Sequence, residues 1–283
     1  MTVREQLAVG SRLLAIGRPQ AQANLEAQLL LAQALCQPRI WLFSHPDTEV
    51  PSEAASAYAA SLQRRSAGEP LEYILGRSEF YGLSLEVTPA TLVPRPETEV
   101  LVEVALIELA GKTRPLVADV GTGSGAIALA IASNHPTAQL LATDISFAAL
   151  ALARRNVHAL SQQHRICLVC CHLLVCANTQ FDLIVANLPY VTSHELLGSA
   201  ALVAQFEPRV ALDGGPDGTA LIAELLAMAR ASLVPGGTIL AEIGATQREK
   251  ALCLAQEHFP EAQASIMPDL AGWDRLLRIR TSA

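Results

Sequence analysis

Asn187-Leu188-Pro189-Tyr190 is the stretch of this chain whose residue types come closest to a reaction. It follows Phe181–Ala186, a short apolar run that reads as a buried strand. A strand ending this way puts a side-chain amide, a free carbonyl and an aromatic ring at one tip. That set suits an enzyme that must hold a planar amino or amide nitrogen still while a methyl group arrives. An amide nitrogen is a poor nucleophile because its lone pair is delocalised into the carbonyl. If its two N–H groups donate to the Asn187 side-chain oxygen and the Leu188 carbonyl, the lone pair can be aimed at the incoming carbon. Alignment of this kind supplies several kcal/mol, within the roughly 7–11 kcal/mol open to well-oriented reactions. The same two acceptors stabilise positive charge as it develops on nitrogen. Tyr190 would stack on the planar amide. The plainer role for the tetrad is a strand-end turn in which Asn caps and Pro stiffens.

A second constellation lies upstream. Asp119-Val120-Gly121-Thr122-Gly123-Ser124-Gly125 ends one predicted strand and opens a helix. Alternating glycines let the backbone turn tightly and approach a ligand. A dinucleotide site would prefer G-x-G-x-x-G. G-x-G-x-G with Asp119 just before it fits S-adenosyl-L-methionine better, because that cofactor has no pyrophosphate to cradle. Gly121, Thr122, Gly123, Ser124 and Gly125 are the candidate cofactor contacts, against the alternative of a purely structural strand–helix turn. Asp144 ends the next strand, where a carboxylate can accept both ribose hydroxyl protons. Its plainer role is to cap the following helix, which Ser146 could do equally.

The elements that must hold these groups can be read from periodicity. Candidate strands are Leu116–Val120, Gln139–Thr143, Ile166–Val169, Phe181–Ala186, Thr238–Ile243 and Leu276–Arg280. Helical segments lie between most of them, including Ala149–Ala159 and Thr219–Leu233. This alternation predicts an α/β fold, an open and mostly parallel sheet with helices on both faces. Such sheets bind ligands at the carboxyl ends of their strands. Residues 1–75 read instead as a small bundle of three short helices, a recognition or docking module. One apolar stripe carries Leu7, Leu13, Leu14 and Ile16, and another Leu25, Ala27, Leu29, Leu30, Ala34 and Leu35. The third helix is expected from Ser52, as N-cap, to about Ser66. A hairpin linker over 76–93 joins this bundle to the sheet domain, 94–283. That domain opens on Pro94-Arg95-Pro96-Glu97-Thr98-Glu99, with Arg95 held extended and Pro96 placed to start a helix.

Composition narrows the classes. A chain of 283 residues can bury a sizeable core, and 51% hydrophobic residues argue against disorder. The net charge of −7 argues against direct nucleic-acid binding. No apolar run reaches the roughly 18 residues needed to span a bilayer, so no membrane association and a cytoplasmic location are expected. Six cysteines occur, four of them between Cys167 and Cys176 with His172 in their midst. They lack the second ligand pair of a structural zinc site, so no metal is expected and the cluster reads as small hydrophobes on a buried strand and its exit loop.

With these residues in hand, the chain resembles the release-factor glutamine N5-methyltransferases. The likeness runs through Gly68-Glu69-Pro70-Leu71-Glu72-Tyr73-Ile74-Leu75-Gly76, Glu79-Phe80-Tyr81-Gly82-Leu83, the Pro94–Glu99 segment, the glycine loop and Asp144-Ile145-Ser146. It continues through the Asn187 tetrad, Glu207-Pro208-Arg209, Asp213–Gly218, Pro235-Gly236-Gly237 and Ala271–Arg275. The Pro-Arg-Pro-Glu-Thr-Glu segment is far more specific than the glycine loop. The resemblance implies a Rossmann-like class I methyltransferase domain that uses S-adenosyl-L-methionine. It implies methylation of the glutamine of a Gly-Gly-Gln motif in peptide chain release factors, the partner proteins. Asn187 would contact both cofactor and substrate, Leu188, Pro189 and Tyr190 would complete the glutamine pocket, and Leu173 would flank the adenine. Phe80 and Arg95 would help seal the site, and Glu207 is either a positioning or a structural residue. Two positions depart from the family pattern. Leu188 stands where a proline is usual, but its proposed role uses only a backbone carbonyl. His172 stands where an adenine-binding Asp is usual, and neutral His can accept through one ring nitrogen. Rival readings are an adenine-N6 or ribosomal-protein glutamine methyltransferase, and a catalytically silent binding protein of the same fold.

Overall fold

The computed structural model describes residues 1–198 and 204–282, and the chain divides into two compact units, Met1–Gly76 and Arg77–Ala283. The first unit is helical: α1 (Val3–Leu14), α2 (Gln20–Ala34), α3 (Arg39–Ser44), α4 (Ser52–Ser66) and α5 (Leu71–Leu75). Thr2 and Glu5 start α1 with a capping box, each side chain bonding the other's backbone N–H. The bundle therefore has two more short helices than periodicity shows. Its core also differs in detail from the expected stripes. Ala23, Ala27, Leu30 and Leu31 are buried on α2, whereas Leu13, Ile16 and Leu25 are exposed. Pro51, not Ser52, is the N-cap of α4, and Ser52 makes no capping bond. Within the bundle, Arg65 forks onto the buried Glu26 carboxylate at 2.8 and 2.9 Å.

The second unit begins with the hairpin of β1 (Arg77–Phe80) and β2 (Leu83–Glu86). Tyr81 and Gly82 both have positive φ, as a two-residue turn of primed type requires. Phe80 and Leu85 are buried in the unit's core. Asn156 ties the end of β2 down, accepting from Glu86 N at 2.8 Å and donating to the Glu86 and Ser124 carbonyls. The hairpin is thus built into this unit.

After α6 (Glu99–Leu109) come β3 (Leu116–Val120), α7 (Ala126–Asn134), β4 (Gln139–Asp144), α8 (Phe147–Ala159), β5 (Ile166–Cys170) and β6 (Phe181–Ala186). Then follow α9 (Ala220–Ser232), β7 (Leu233–Glu242), α10 (Arg248–His258), β8 (Gln263–Pro268) and β9 (Asp274–Arg280). The strands form one seven-stranded sheet in the order β5-β4-β3-β6-β7-β9-β8, parallel except for antiparallel pairing at β9. Alternation along each strand feeds two cores. Val117, Leu183, Val185 and Leu240 face one, and Ala118, Val120, Ile184 and Ile239 the other. Strand order reverses between β3 and β6, so a crevice opens at their carboxyl ends. The glycine loop leaves β3 there, and the Asn187 tetrad leaves β6.

Candidate active site

Three glycines shape one wall. Gly121, Gly123 and Gly125 all have positive φ, a conformation L side chains rarely adopt. A Cβ at Gly121 would also come within 3.0 Å of Leu188 Cδ2. Leu188, buried to 4% exposure, therefore packs its side chain onto the glycine loop. The loop is bonded across to β4, with Gly121 N and Thr122 N both 2.9 Å from the Thr143 carbonyl. Below it Asp119 is fully buried and accepts from Thr122 Oγ1 at 2.6 Å and Ala128 N at 3.1 Å through one oxygen. Its Oδ1 has no hydrogen-bond partner among the described residues. Burial pushes the Asp119 carboxyl up to about 6, against the bonds from Thr122 and Ala128 and with a small push from the Asp144 charge.

Asp144 stands at the tip of β4. Oδ2 accepts from Gly123 N at 2.9 Å and Oδ1 from Ser146 N at 2.8 Å. Capping of α8 falls to Ser146, whose side chain accepts from Ala149 N. Burial raises the Asp144 carboxyl, and the backbone N–H groups of Ser146, Gly123 and Ile145 hold it back. Each oxygen still has acceptor capacity for a hydroxyl.

Beyond Asp144 the wall continues at the exit of β5, where Cys171 N bonds the Asp144 carbonyl at 3.1 Å. Leu173 is buried with φ 46°, a strained backbone for a non-glycine residue and one that needs its surroundings to hold it. His172 Nε2 lies 2.8 Å from Glu224 Oε1 on α9, a contact between two partly exposed side chains. The cysteine cluster is not buried, contrary to expectation. β5 is a sheet edge, and Cys167 and Cys170 on it are exposed; in the segment that follows, Cys171 is half-buried and Cys176 exposed. Among the described residues no group of His, Cys, Asp or Glu could hold a metal ion.

The third wall is the tetrad. Asn187 Nδ2 donates to Thr98 Oγ1 at 3.1 Å, which leaves its Oδ1 to accept. Thr98 in turn donates to Glu242 Oε2 at 2.6 Å, and Tyr190 OH to Glu242 Oε1 at 3.3 Å. Burial raises the Glu242 carboxyl and pushes the Tyr190 phenol up to about 12. Gln247 spans the Tyr190 and Gly218 carbonyls with its Nε2 and accepts from Gly244 N. Glu207, buried, accepts from Val93 N at 3.0 Å and pairs with Arg95, which fixes the Leu92–Arg95 segment. Glu207 therefore anchors the segment that carries Arg95, a structural contact, and does not itself line the cavity.

Together these walls enclose a cavity of about 200 Å³. Gly121, Thr122, Gly123, Ser124, Asp144, Leu173, Asn187, Leu188 and Pro189 line it, as do Phe80, Arg95, Thr98 and His172. Gly125 and Tyr190 do not. Gly125 turns the chain into α7, where a Cβ would meet Ala153 at 3.4 Å, and Tyr190 points to Glu242. The contacts that sequence reasoning missed are Thr98, Glu242, Gln247 and Glu224. One signal was available for Glu242, a lone carboxylate inside the apolar run Thr238–Ile243.

Known proteins resemble the chain along nearly all of its length. A family model described as PrmC N-terminal domain matches residues 8–76, and one described as Methyltransferase small domain matches residues 97–206. A release factor glutamine methyltransferase of Moorella thermoacetica is 41% identical over 276 residues, 97% of each chain. One of Bordetella pertussis is 40% identical over 89% of this chain and 93% of its own. The crystal structure of a methyltransferase from Pyrococcus furiosus superposes with a TM-score of 0.52 at 19% identity, covering 71% of this chain and 90% of that one, a likeness of fold alone.

Proposed function

Because the chain belongs to the release factor glutamine methyltransferase family, we propose that it methylates the side-chain amide nitrogen, N5, of the glutamine in the Gly-Gly-Gln motif of a peptide chain release factor, with S-adenosyl-L-methionine as donor. The observation that carries this reading is the Asn187 amide. Its nitrogen is committed to Thr98, so its oxygen is the group available in the cavity next to the glycine loop.

The residues present fit the cofactor. Gly121 to Ser124 line the cavity on a turn that two positive-φ glycines make tight, and Asp144 offers a carboxylate with free acceptor capacity for a ribose. Asp119 lies fully buried below the loop and outside the cavity lining, so it supports the loop through Thr122 and Ala128 and does not touch a ligand. Leu173 supplies an apolar face for adenine, with His172 beside it. Bound there, the cofactor supplies an electrophilic methyl group.

The protein's part is alignment. Asn187 Oδ1 and the Leu188 carbonyl accept the two N–H groups of the substrate amide and direct its lone pair. They also stabilise the positive charge that grows on nitrogen. Pro189 stiffens the tip, and Tyr190, outside the cavity lining, anchors its far end through Glu242 instead of stacking on the amide. A strong general base is unnecessary because the alkylated amide loses its proton readily. The helical unit is proposed to dock the protein substrate, and its exposed Ile16, Ile40 and Phe43 give it apolar surface for that purpose.

Mass spectrometry of a release factor incubated with enzyme and S-adenosyl-L-methionine tests the reading. One added methyl on the glutamine of the Gly-Gly-Gln motif is expected, with roughly 100-fold or greater loss for Asn187→Ala. An unmodified release factor, with cofactor shown to be bound by calorimetry, would overturn it.

A further inference from the structure

We propose that Thr98 and Glu242 are positioning residues that fix which way round the Asn187 amide sits, and so which of its ends meets the substrate. The inference rests on the proposed role of Asn187 and extends it to two residues 144 positions apart in sequence. A threonine hydroxyl has one hydrogen and spare lone pairs. The Thr98 hydrogen goes to the Glu242 carboxylate at 2.6 Å. Toward Asn187, Thr98 then presents lone pairs alone, and only the NH2 end of the amide can bond it, as it does at 3.1 Å. The flipped amide would set its oxygen against the hydroxyl's lone pairs and turn its N–H groups toward the cavity. Donors there would oppose the N–H groups of a substrate amide.

Glu242 acts on the tetrad at both ends. Its second oxygen accepts from Tyr190 OH at 3.3 Å, so one carboxylate orients the first and last residues of Asn187-Leu188-Pro189-Tyr190. It does so from inside the sheet. Glu242 is 2% exposed at the end of β7 and Thr98 4% exposed. A carboxylate in that setting is costly to bury, and an apolar residue there would stabilise the strand better. Arg275 opposes its charge from the start of β9. Thr98 lies in the Pro94–Glu99 segment, so the chain's most distinctive motif supplies the hydroxyl that reads Glu242 and hands Asn187 its orientation.

The test compares purified full-length variants by steady-state methylation of a release factor, with melting temperature and calorimetric cofactor affinity measured alongside. Thr98→Val keeps the shape and removes the acceptor, so kcat should fall roughly 10- to 100-fold while the KM for release factor and the cofactor Kd stay within about threefold. Thr98→Ser should recover the rate to within about threefold, since it restores the hydroxyl. Should Thr98→Val fail to fold, the Glu242 pair decides. Glu242→Gln retains an acceptor for Thr98 and should keep most of the rate, whereas Glu242→Leu should lose about as much as Thr98→Val. Wild-type turnover in Thr98→Val, or equal rates for Glu242→Gln and Glu242→Leu, overturns the inference while Asn187→Ala stays roughly 100-fold or more below wild type. An Asn187→Ala enzyme as active as wild type overturns both this inference and the role given to the tetrad.

Discussion

Gly123 donates its backbone N–H to Oδ2 of Asp144 at 2.9 Å, so the carboxylate proposed to hold a ribose is also the post to which the glycine loop is tied. The same side chain turns the chain after β4 through Ser146 N. Its ligand role and its loop role share one set of atoms. Asp144→Asn keeps an acceptor for one of the two N–H groups and halves the acceptor set. Asp144→Ala removes both. Cofactor affinity measured by calorimetry should therefore fall in steps, by about 1 kcal/mol for Asn and about 2–3 kcal/mol for Ala. Equal affinities in the two variants would separate the loop from the ligand and contradict this arrangement.

Asp119 predicts a pH dependence of stability. Its carboxyl is raised from 3.8 to about 6 in the folded protein, chiefly by burial. The folded state therefore binds this proton more tightly than the unfolded chain does. The contribution is most favourable below the unfolded value, and it is lost as pH rises through the window from about 4 to 6. The difference between the folded and unfolded values corresponds to roughly 3 kcal/mol. Asp119→Asn cannot titrate. Chemical denaturation of both proteins between pH 4 and 7 should show wild type losing stability relative to Asp119→Asn as pH rises. A stability difference that is flat across that range would show that Asp119 titrates normally.

How far the sequence discloses this arrangement depends on where each strand lies in the sheet. β3 and β6 are central and covered on both faces, so Leu116–Val120 and Phe181–Ala186 stand out as apolar runs with their true limits. β8 lies at an edge and is half-exposed, and Gln263–Pro268 gives no periodic signal. The cysteines of β5 misled for the same reason, since an edge strand does not bury them. In the site, residues on one loop are legible because their spacing is local. The Thr98–Glu242–Tyr190 connection is assembled by the fold from three separate segments, and no spacing rule reaches it. Leu188 stands where the family resemblance has a proline, and the structure adds what its side chain does there by packing against Gly121.

The His172–Glu224 contact bears on cofactor affinity. With Nε2 facing the Glu224 carboxylate at 2.8 Å, the neutral ring carries its proton there and leaves Nδ1 as an acceptor. His172 with Glu224 would then do the work of a single carboxylate toward an adenine amino group. Glu224→Ala frees the tautomer and should weaken cofactor binding by a few-fold, the modest size expected of a partly exposed pair. His172→Asp should bind at least as well as wild type, and His172→Ala less well than either. Calorimetry ranks the three, and unchanged affinity in His172→Ala would remove the residue from the cofactor site.

Gly214 offers a test of the tetrad's backbone without touching its side chains. A Cβ at this position would come within 2.6 Å of the Pro189 carbonyl oxygen and 2.8 Å of Tyr190 Cα. Both neighbours are backbone, so the strain cannot be relieved by turning a rotamer. The contact is close because the segment after β6 runs beside Asp213–Gly218, with Gly214 N bonded to the Val191 carbonyl at 2.8 Å and Val191 N to the Leu212 carbonyl at 3.0 Å. Gly214→Ala should push Pro189 and Tyr190 away from this rail, at a cost of about 1–3 kcal/mol in stability. A displacement of a few tenths of an ångström at Pro189 also moves the Leu188 carbonyl, so turnover should fall roughly 10-fold or more even well below the melting temperature. Gly198→Ala serves as the control, because among the described residues a Cβ there meets nothing nearer than 3.8 Å. If Gly214→Ala loses stability but keeps its turnover, the backbone of the tip tolerates displacement, and alignment by the Leu188 carbonyl is not what sets the rate.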